Sequence, residues 1–173
     1  MTGRVLVAGI GNLFLGDDGF GSAVAQRLAA EPLPEGVRVV DYGIRGMHLA
    51  YDLLDGYDAL VIVDALPGDG APGDLTVLEV GPDDLGDGEL DAHGMAPAAV
   101  LAGLGRLGGS LPPTYVVGCQ PADVGEGIGL SGPVEAALDP AAALVLELLA
   151  EQLGMSVGRD RAATTALPEE ALP

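Results

Sequence analysis

Four side chains of this sequence have the types and positions that metal chemistry requires. Asp18 follows a glycine-rich turn, and Asp41 and Asp64 each end an apolar run. His93 precedes a segment with helical spacing. Two carboxylates and one imidazole suit a borderline divalent metal and leave positions open for water or a substrate group. The pattern predicts an incomplete metal site made of two of these three carboxylates together with His93.

Each of these residues also has an ordinary structural explanation. Asp18 can cap a helix, and Asp41 and Asp64 can favour turns at strand ends. Asp17 is a second carboxylate in the same loop as Asp18, although one helix start needs only one cap. One of the two is therefore left for another role. The sequence does not identify the attacking group.

Alternating strands and helices predict how these residues come together. Connections long enough for a helix join parallel strands, whose carboxyl ends share one edge of the sheet. The predicted fold is a single-domain, three-layer α/β/α structure with a twisted, mostly parallel sheet of about five strands. The predicted parallel strands are Arg4–Gly9, Val37–Tyr42, Ala59–Ala65 and Thr114–Gly118, and the predicted helices are Gly19–Ala30, Met47–Leu54, Gly94–Leu107 and Pro133–Leu153.

One strand breaks this alternation. Leu66–Gly73 is rich in Pro and Gly and too short for a helical crossover, so Asp74–Val80 is predicted to run antiparallel to Ala59–Ala65 at an edge. The acidic connection Gly81–Ala92 is then expected to return the chain to the carboxyl edge at His93. We expect residues 1–154 to form one domain and residues 155–173, which lack periodicity, to form a disordered tail.

Composition excludes several classes of function. The 26 acidic and 7 basic residues give a net charge of −19, which argues against nucleic acid as a partner. No apolar run approaches the about 20 residues that span a bilayer, so we expect a cytoplasmic protein without membrane contact. We also expect a monomer. The single cysteine, Cys119, is expected to be a buried structural residue, and His48 to be partly buried.

A nucleotide site is the first alternative for the glycine-rich loop. Gly9-Ile10-Gly11 follows a strand, but the third glycine of a dinucleotide fingerprint would fall on Phe14. The loop also carries Asp17 and Asp18, which would repel a pyrophosphate. The loop therefore favours a cation over a nucleotide.

Five segments in order resemble the hydrogenase maturation endopeptidase family. They are GIGNLFLGDDGFG at Gly9–Gly21, DYGIRGMHL at Asp41–Leu49, VIVDAL around Asp64, the isolated His93 and GIGLSGPVEAAL at Gly127–Leu138. The resemblance implies an endopeptidase that removes the C-terminal extension of a nickel–iron hydrogenase large-subunit precursor after nickel insertion. It also implies a twisted sheet flanked by helices on both faces.

Carried onto this sequence, the family's metal ligands fall on Asp18, Asp64 and His93. Asp18 and Asp64 are thereby the candidates for the catalytic carboxylate. The resemblance implies that nickel is the recognition element, contributed by the substrate and not stably resident. Thiolates of the substrate's own nickel site would fill the remaining positions. The turn Tyr42–Arg45 departs from the Gly-Gly-Thr-like turn of many members, which leaves the client hydrogenase open. A non-enzymatic nickel-binding maturation factor is the second alternative.

Overall fold

The computed structural model describes residues 3–80 and 103–155, in which five strands and four helices are defined. Gly81–Ala92, His93 and most of the predicted helix Gly94–Leu107 lie outside the described residues. A 3-10 turn, Gly16–Gly19, precedes the first helix, and residues 103–106 are helical. The strands are β1 Val5–Ile10, β2 Val37–Gly43, β3 Ala59–Ala65, β4 Leu75–Val80 and β5 Thr114–Cys119, and the helices are α1 Phe20–Ala29, α2 Gly46–Leu53, α3 Gly132–Ala136 and α4 Leu138–Leu153.

The sheet has the order β2-β1-β3-β5-β4. The first four of these strands are parallel, and β4 pairs with β5 in the antiparallel sense. The mostly parallel sheet with one antiparallel edge strand is therefore confirmed. β4 follows β3 in sequence, yet β5 lies between them in the sheet. The connection from Leu66 to Asp74 has nine residues, which is long enough to reverse the chain direction and to leave room for β5 between the two strands.

Helices cover both faces of the sheet. Side chains alternate along a strand, so Val5 and Val7 of β1 face α1 and α4, whereas Leu6 and Ala8 face α2 and Leu104. All seven residues of β3 are buried, as expected for a central parallel strand covered on both faces. This arrangement is the predicted three-layer architecture.

Two boundaries near the C-terminus differ from the predictions. The single helix predicted over Pro133–Leu153 is divided at Ala137, because Pro140 lacks an N–H and its ring would collide with the carbonyl group of a continuous helix at Ala136. Met155, predicted to begin a tail, packs against the core and is 9% exposed. The rest of the predicted tail, 156–173, lies outside the described residues.

No helix in the described part of the chain is both long and apolar enough to cross a membrane.

Candidate metal-binding site

The first loop, residues 11–19, lies directly on the carboxyl ends of β1 and β3 because two glycines allow it. A Cβ atom on Gly21 would overlap the carbonyl oxygens of Ile10 and Val63. A Cβ atom on Gly11, whose φ is +147°, would overlap the carbonyl oxygen of Asp18. Both positions require glycine, and together they allow the loop to pack closely against the strand ends.

Asp17 anchors this loop to the loop that follows β5. Its carboxylate is fully buried and accepts hydrogen bonds from the N–H groups of Ala122, Asp123 and Ser131 at 2.7–3.0 Å and from the Ser131 hydroxyl at 2.8 Å. Burial by itself raises the pKa of Asp17, but these donors outweigh it and hold the pKa below its usual range. Asp17 is therefore a charged structural anchor, and its hydrogen-bonding capacity is used within the protein.

Asp18, the next residue, has a different environment. It is partly exposed, and its Oδ2 atom accepts one hydrogen bond, from the Asn12 N–H at 2.9 Å. Its side chain thus retains lone pairs that can bind a ligand. Asp17 serves as the internal anchor and leaves Asp18 as the carboxylate that faces outward.

Asp64 ends the central strand at the same edge. The residue is 4% exposed, and by the alternation of β3 it lies on the sheet face that packs against α2. Burial, and then the nearby Asp18 carboxylate, raise the pKa of Asp64 to about 8, although a hydrogen bond from the Ala65 backbone opposes this. Asp18 and Asp64 are therefore an electrostatically coupled pair, brought together from positions 46 residues apart in the sequence.

Asp41 reaches the same edge but does not join the pair. It follows Val37 and Val39 in the alternation of β2, so its side chain faces α1. Its carboxylate accepts hydrogen bonds from the Ser22 hydroxyl at 2.6 Å, the Gln26 amide at 3.2 Å and the Gly43 N–H at 3.0 Å. Asp41 holds the start of α1 and the turn after β2, which is a structural role.

The remaining candidates have three outcomes. His93 lies outside the described residues, so its place in the site stays a prediction. His48 is exposed on the first turn of α2, and the predicted partial burial is wrong, because the buried side of this helix is formed by Leu49, Ala50 and Leu53. Cys119 is fully buried, and burial raises the pKa of its thiol to about 11, which confirms the structural interpretation.

The pair Asp18–Asp64 fits a cation better than an anion. Two carboxylates close together repel each other when both are charged, and a divalent ion relieves that repulsion. Among residues 3–80 and 103–155, no three His, Cys, Asp or Glu side chains form a metal-binding group. The described part of the site therefore supplies two carboxylates, and a metal ion bound there would need further ligands from elsewhere.

Sequence reasoning missed the role of Asp17. The pattern showed two adjacent aspartates, but it gave no sign that Ser131, 114 residues away, would bond to one of them. The only available signal was the surplus of one carboxylate at the helix start. The site is thus a partly exposed Asp18 and a buried Asp64, positioned by the internal anchor Asp17.

The fold and site define an α/β protein whose acidic centre lies at the carboxyl edge of a parallel sheet, and comparisons with known proteins agree on its class. The family model described as hydrogenase maturation protease matches residues 22–148. The chain is 33% identical to the hydrogenase 2 maturation protease of Escherichia coli, with 98% of each chain covered. It is 35% identical to the hydrogenase expression/formation protein HupM of Azotobacter chroococcum, covering 98% of this chain and 84% of that protein.

A solved structure shows the same relationship. The hydrogenase maturating endopeptidase HybD from E. coli superposes with a TM-score of 0.75 at 31% identity, covering 91% of this chain and 99% of that one. The chain belongs to the hydrogenase maturation protease family, which makes it a hydrolase of the peptidase class. Family membership decides against the nucleotide-binding and non-enzymatic alternatives.

Proposed function

We propose that this protein removes the C-terminal extension of a nickel–iron hydrogenase large-subunit precursor after nickel has been inserted. The observation that carries the proposal is the coupled pair of Asp18 and Asp64 at the sheet edge. A pair of carboxylates with open ligand positions can recognise a metal ion that arrives already bound to the substrate.

The proposed role of nickel is that of a recognition element. Asp18, Asp64 and His93 would supply carboxylate and imidazole ligands, and thiolates of the precursor's nickel site would supply the others. Three such protein ligands bind free nickel weakly. Affinity for the nickel-loaded precursor is much higher because the protein interface holds the two half-sites together, which makes the second contact effectively intramolecular.

The same carboxylates supply the acid–base chemistry of peptide cleavage. Burial and the nearby Asp18 carboxylate raise the pKa of Asp64 to about 8 in the absence of metal, and a nickel ion held beside the pair would favour the charged carboxylate. A charged carboxylate of the pair can take a proton from an attacking water molecule, while the other positions the metal. The scissile bond is cut where docking at the sheet edge holds it beside these groups.

The test is a cleavage assay with purified protein and the hydrogenase large-subunit precursor from the same organism, prepared with and without nickel. Mass spectrometry should show loss of the C-terminal extension only from the nickel-loaded form. Asp64→Asn and His93→Ala should each abolish most of that cleavage. Asp69→Asn, which removes an exposed carboxylate at the same edge of the sheet, is the matched control and should leave it unchanged.

Equal rates of cleavage of the nickel-loaded and nickel-free precursors would overturn the proposal, because the carboxylate pair would then have no role in recognising nickel. Wild-type activity in His93→Ala would remove the histidine from the ligand set. In every variant, unchanged circular dichroism is required before a loss of activity is interpreted.

A further inference from the structure

The first loop and the loop after β5 expose a group of apolar side chains. Phe14 is 67% exposed and Ile128 is 81% exposed, and Leu13 and Val124 are about half exposed. We call these four residues the paired-loop surface. Contiguous exposed apolar side chains are uncommon on monomeric proteins and mark interaction sites.

Backbone hydrogen bonds hold these two loops in place. Leu15 and Gly127 form a parallel bridge, in which the Gly16 N–H donates to the Gly127 carbonyl and the Gly127 N–H donates to the Phe14 carbonyl, both at 2.9 Å. The four hydrogen bonds to the Asp17 carboxylate join the same two loops from beneath. The apolar side chains are therefore presented on a fixed backbone, which lowers the entropy cost of binding a partner.

The paired-loop surface is continuous with the candidate metal-binding site. The Asp18 N–H donates to the Leu15 carbonyl at 3.1 Å, and the Asp18 carboxylate accepts from the Asn12 N–H at 2.9 Å. Phe14 thus lies inside the hydrogen-bonded loop that positions a proposed metal ligand. A partner seated on Phe14 and Ile128 would extend directly to Asp18.

The charge around this surface indicates the chemistry of its partner. Residues 11–19 and 119–131 contain no Lys or Arg, whereas Asp123 and Glu126 are exposed among the apolar side chains. The whole chain carries a net charge of −19. A second copy of this chain would bring a surface of the same charge and would be repelled, whereas an apolar segment with basic residues would be attracted.

We propose that the paired-loop surface docks an apolar, positively charged segment of the hydrogenase precursor next to the bond that is cut. This inference rests on the proposed function and adds the surface that selects the client. Apolar contact with Phe14 and Ile128 supplies affinity, and Glu126 with Asp123 supplies attraction to basic side chains. Recognition of nickel at the carboxylate pair then follows the binding of the precursor to this surface.

The test measures binding and cleavage separately, using the nickel-loaded precursor labelled with a fluorophore. Phe14→Ser combined with Ile128→Ser should weaken binding by fluorescence anisotropy at least tenfold and raise KM to match. At saturating precursor kcat should stay within about twofold of wild type, because uniform binding energy is lost and no interaction specific to the transition state is removed. Tyr51→Ser, which removes a 54% exposed side chain on α2, is the control and should leave binding unchanged.

Charge is tested by Glu126→Gln and Glu126→Lys. Glu126 is exposed and lies between two glycines, so neither change disturbs packing. Binding should weaken in Glu126→Gln and weaken further in Glu126→Lys, and the salt dependence of binding should be reduced in the Gln variant. Unchanged affinity in both variants would overturn the electrostatic part of the proposal.

The outcomes separate this inference from the proposed function. If the wild-type protein cuts the precursor and the Phe14/Ile128 double variant binds it with unchanged affinity, only the docking surface is overturned. Wild-type protein that binds the precursor through these residues but does not cut it overturns the proposed function alone. Protein that neither binds nor cuts overturns both. Dimers that are seen by analytical ultracentrifugation and lost in the double variant would assign the surface to self-association and overturn the precursor as its occupant.

Discussion

Asp17 and Asp64 are both buried carboxyl groups at the same edge of the sheet, yet their pKa values are shifted in opposite directions. Asp17 accepts four hydrogen bonds, which stabilise its charged form and lower its pKa despite burial. Asp64 is desolvated and lies near the Asp18 carboxylate, so its pKa is raised to about 8. The supply of donors separates a structural carboxylate from one available for chemistry.

The largest expected effect comes from removing the charge of the anchor. Asp17→Asn replaces an acceptor of four hydrogen bonds by an amide that brings its own donors into a buried site. Since hydrogen bonds to charged groups contribute about 1.5–3 kcal/mol each, the free energy of unfolding should fall by at least about 3 kcal/mol. Urea denaturation measures this. Asp123→Asn, an exposed neighbour with one local bond to the Gly125 N–H, is the control and should cost about 1 kcal/mol or less.

Asp64→Asn should have the reverse profile. Cleavage of the nickel-loaded precursor should fall at least about 100-fold, because even residues that only support metal ligands typically contribute 10–100-fold. The free energy of unfolding at neutral pH should not fall, since the change removes a carboxyl group whose ionisation is unfavourable in the folded state. Comparable losses of stability in Asp64→Asn and Asp17→Asn would contradict the proposed division of roles.

The pH dependence of stability should show the difference directly in metal-free protein. Between about pH 4 and about pH 8 the unfolded chain has released the Asp64 proton, whereas the folded protein retains it. The folded state binds more protons, so Asp64 makes the free energy of unfolding decrease as pH rises, by at most about 1.4 kcal/mol per pH unit. Asp64→Asn should remove this slope in urea titrations with chelator present.

Asp17 should act at the acid end of the same titration. Its pKa is lowered on folding, so its stabilising contribution is complete above about pH 4 and is lost as pH falls through the lowered value. Asp17→Asn should therefore lose stability mainly above about pH 4 and differ little from wild type in strong acid. A difference that is constant at every pH would show that the lost packing, and not the charge, causes the effect.

The smallest expected effect comes from removing one donor to the anchor. Ser131→Ala deletes the hydroxyl that bonds to Asp17 at 2.8 Å but keeps the Ser131 N–H, which bonds to the same carboxylate at 2.7 Å. The free energy of unfolding should fall by about 1 kcal/mol, because three backbone donors still satisfy the charge. A loss as large as that of Asp17→Asn would mean that the hydroxyl, and not the set of four donors, holds the anchor.

The strands at the site and the meeting of their ends at one edge were predictable because β1 and β3 are apolar runs and because a parallel sheet brings strand ends together. The choice between Asp17 and Asp18 was not predictable. Both follow Gly16 in the same 3-10 turn, and which one turns inward depends on donors from residues 122–131. Pro140 indicated that the last helix is divided, but the strong apolar periodicity on both sides of it favoured one continuous helix.

The link between Asp17 and Ser131 also sets the order in which a growing chain can become active. The first loop leaves the ribosome early, but the groups that fix its shape are made 105 to 114 residues later. A nascent chain that ends before the β5 loop has β1, β3 and both site aspartates but has no partner for the buried Asp17 carboxylate. Such a chain cannot hold Asp18 in its final place, so the site is complete only when almost all of the folded domain has been synthesised.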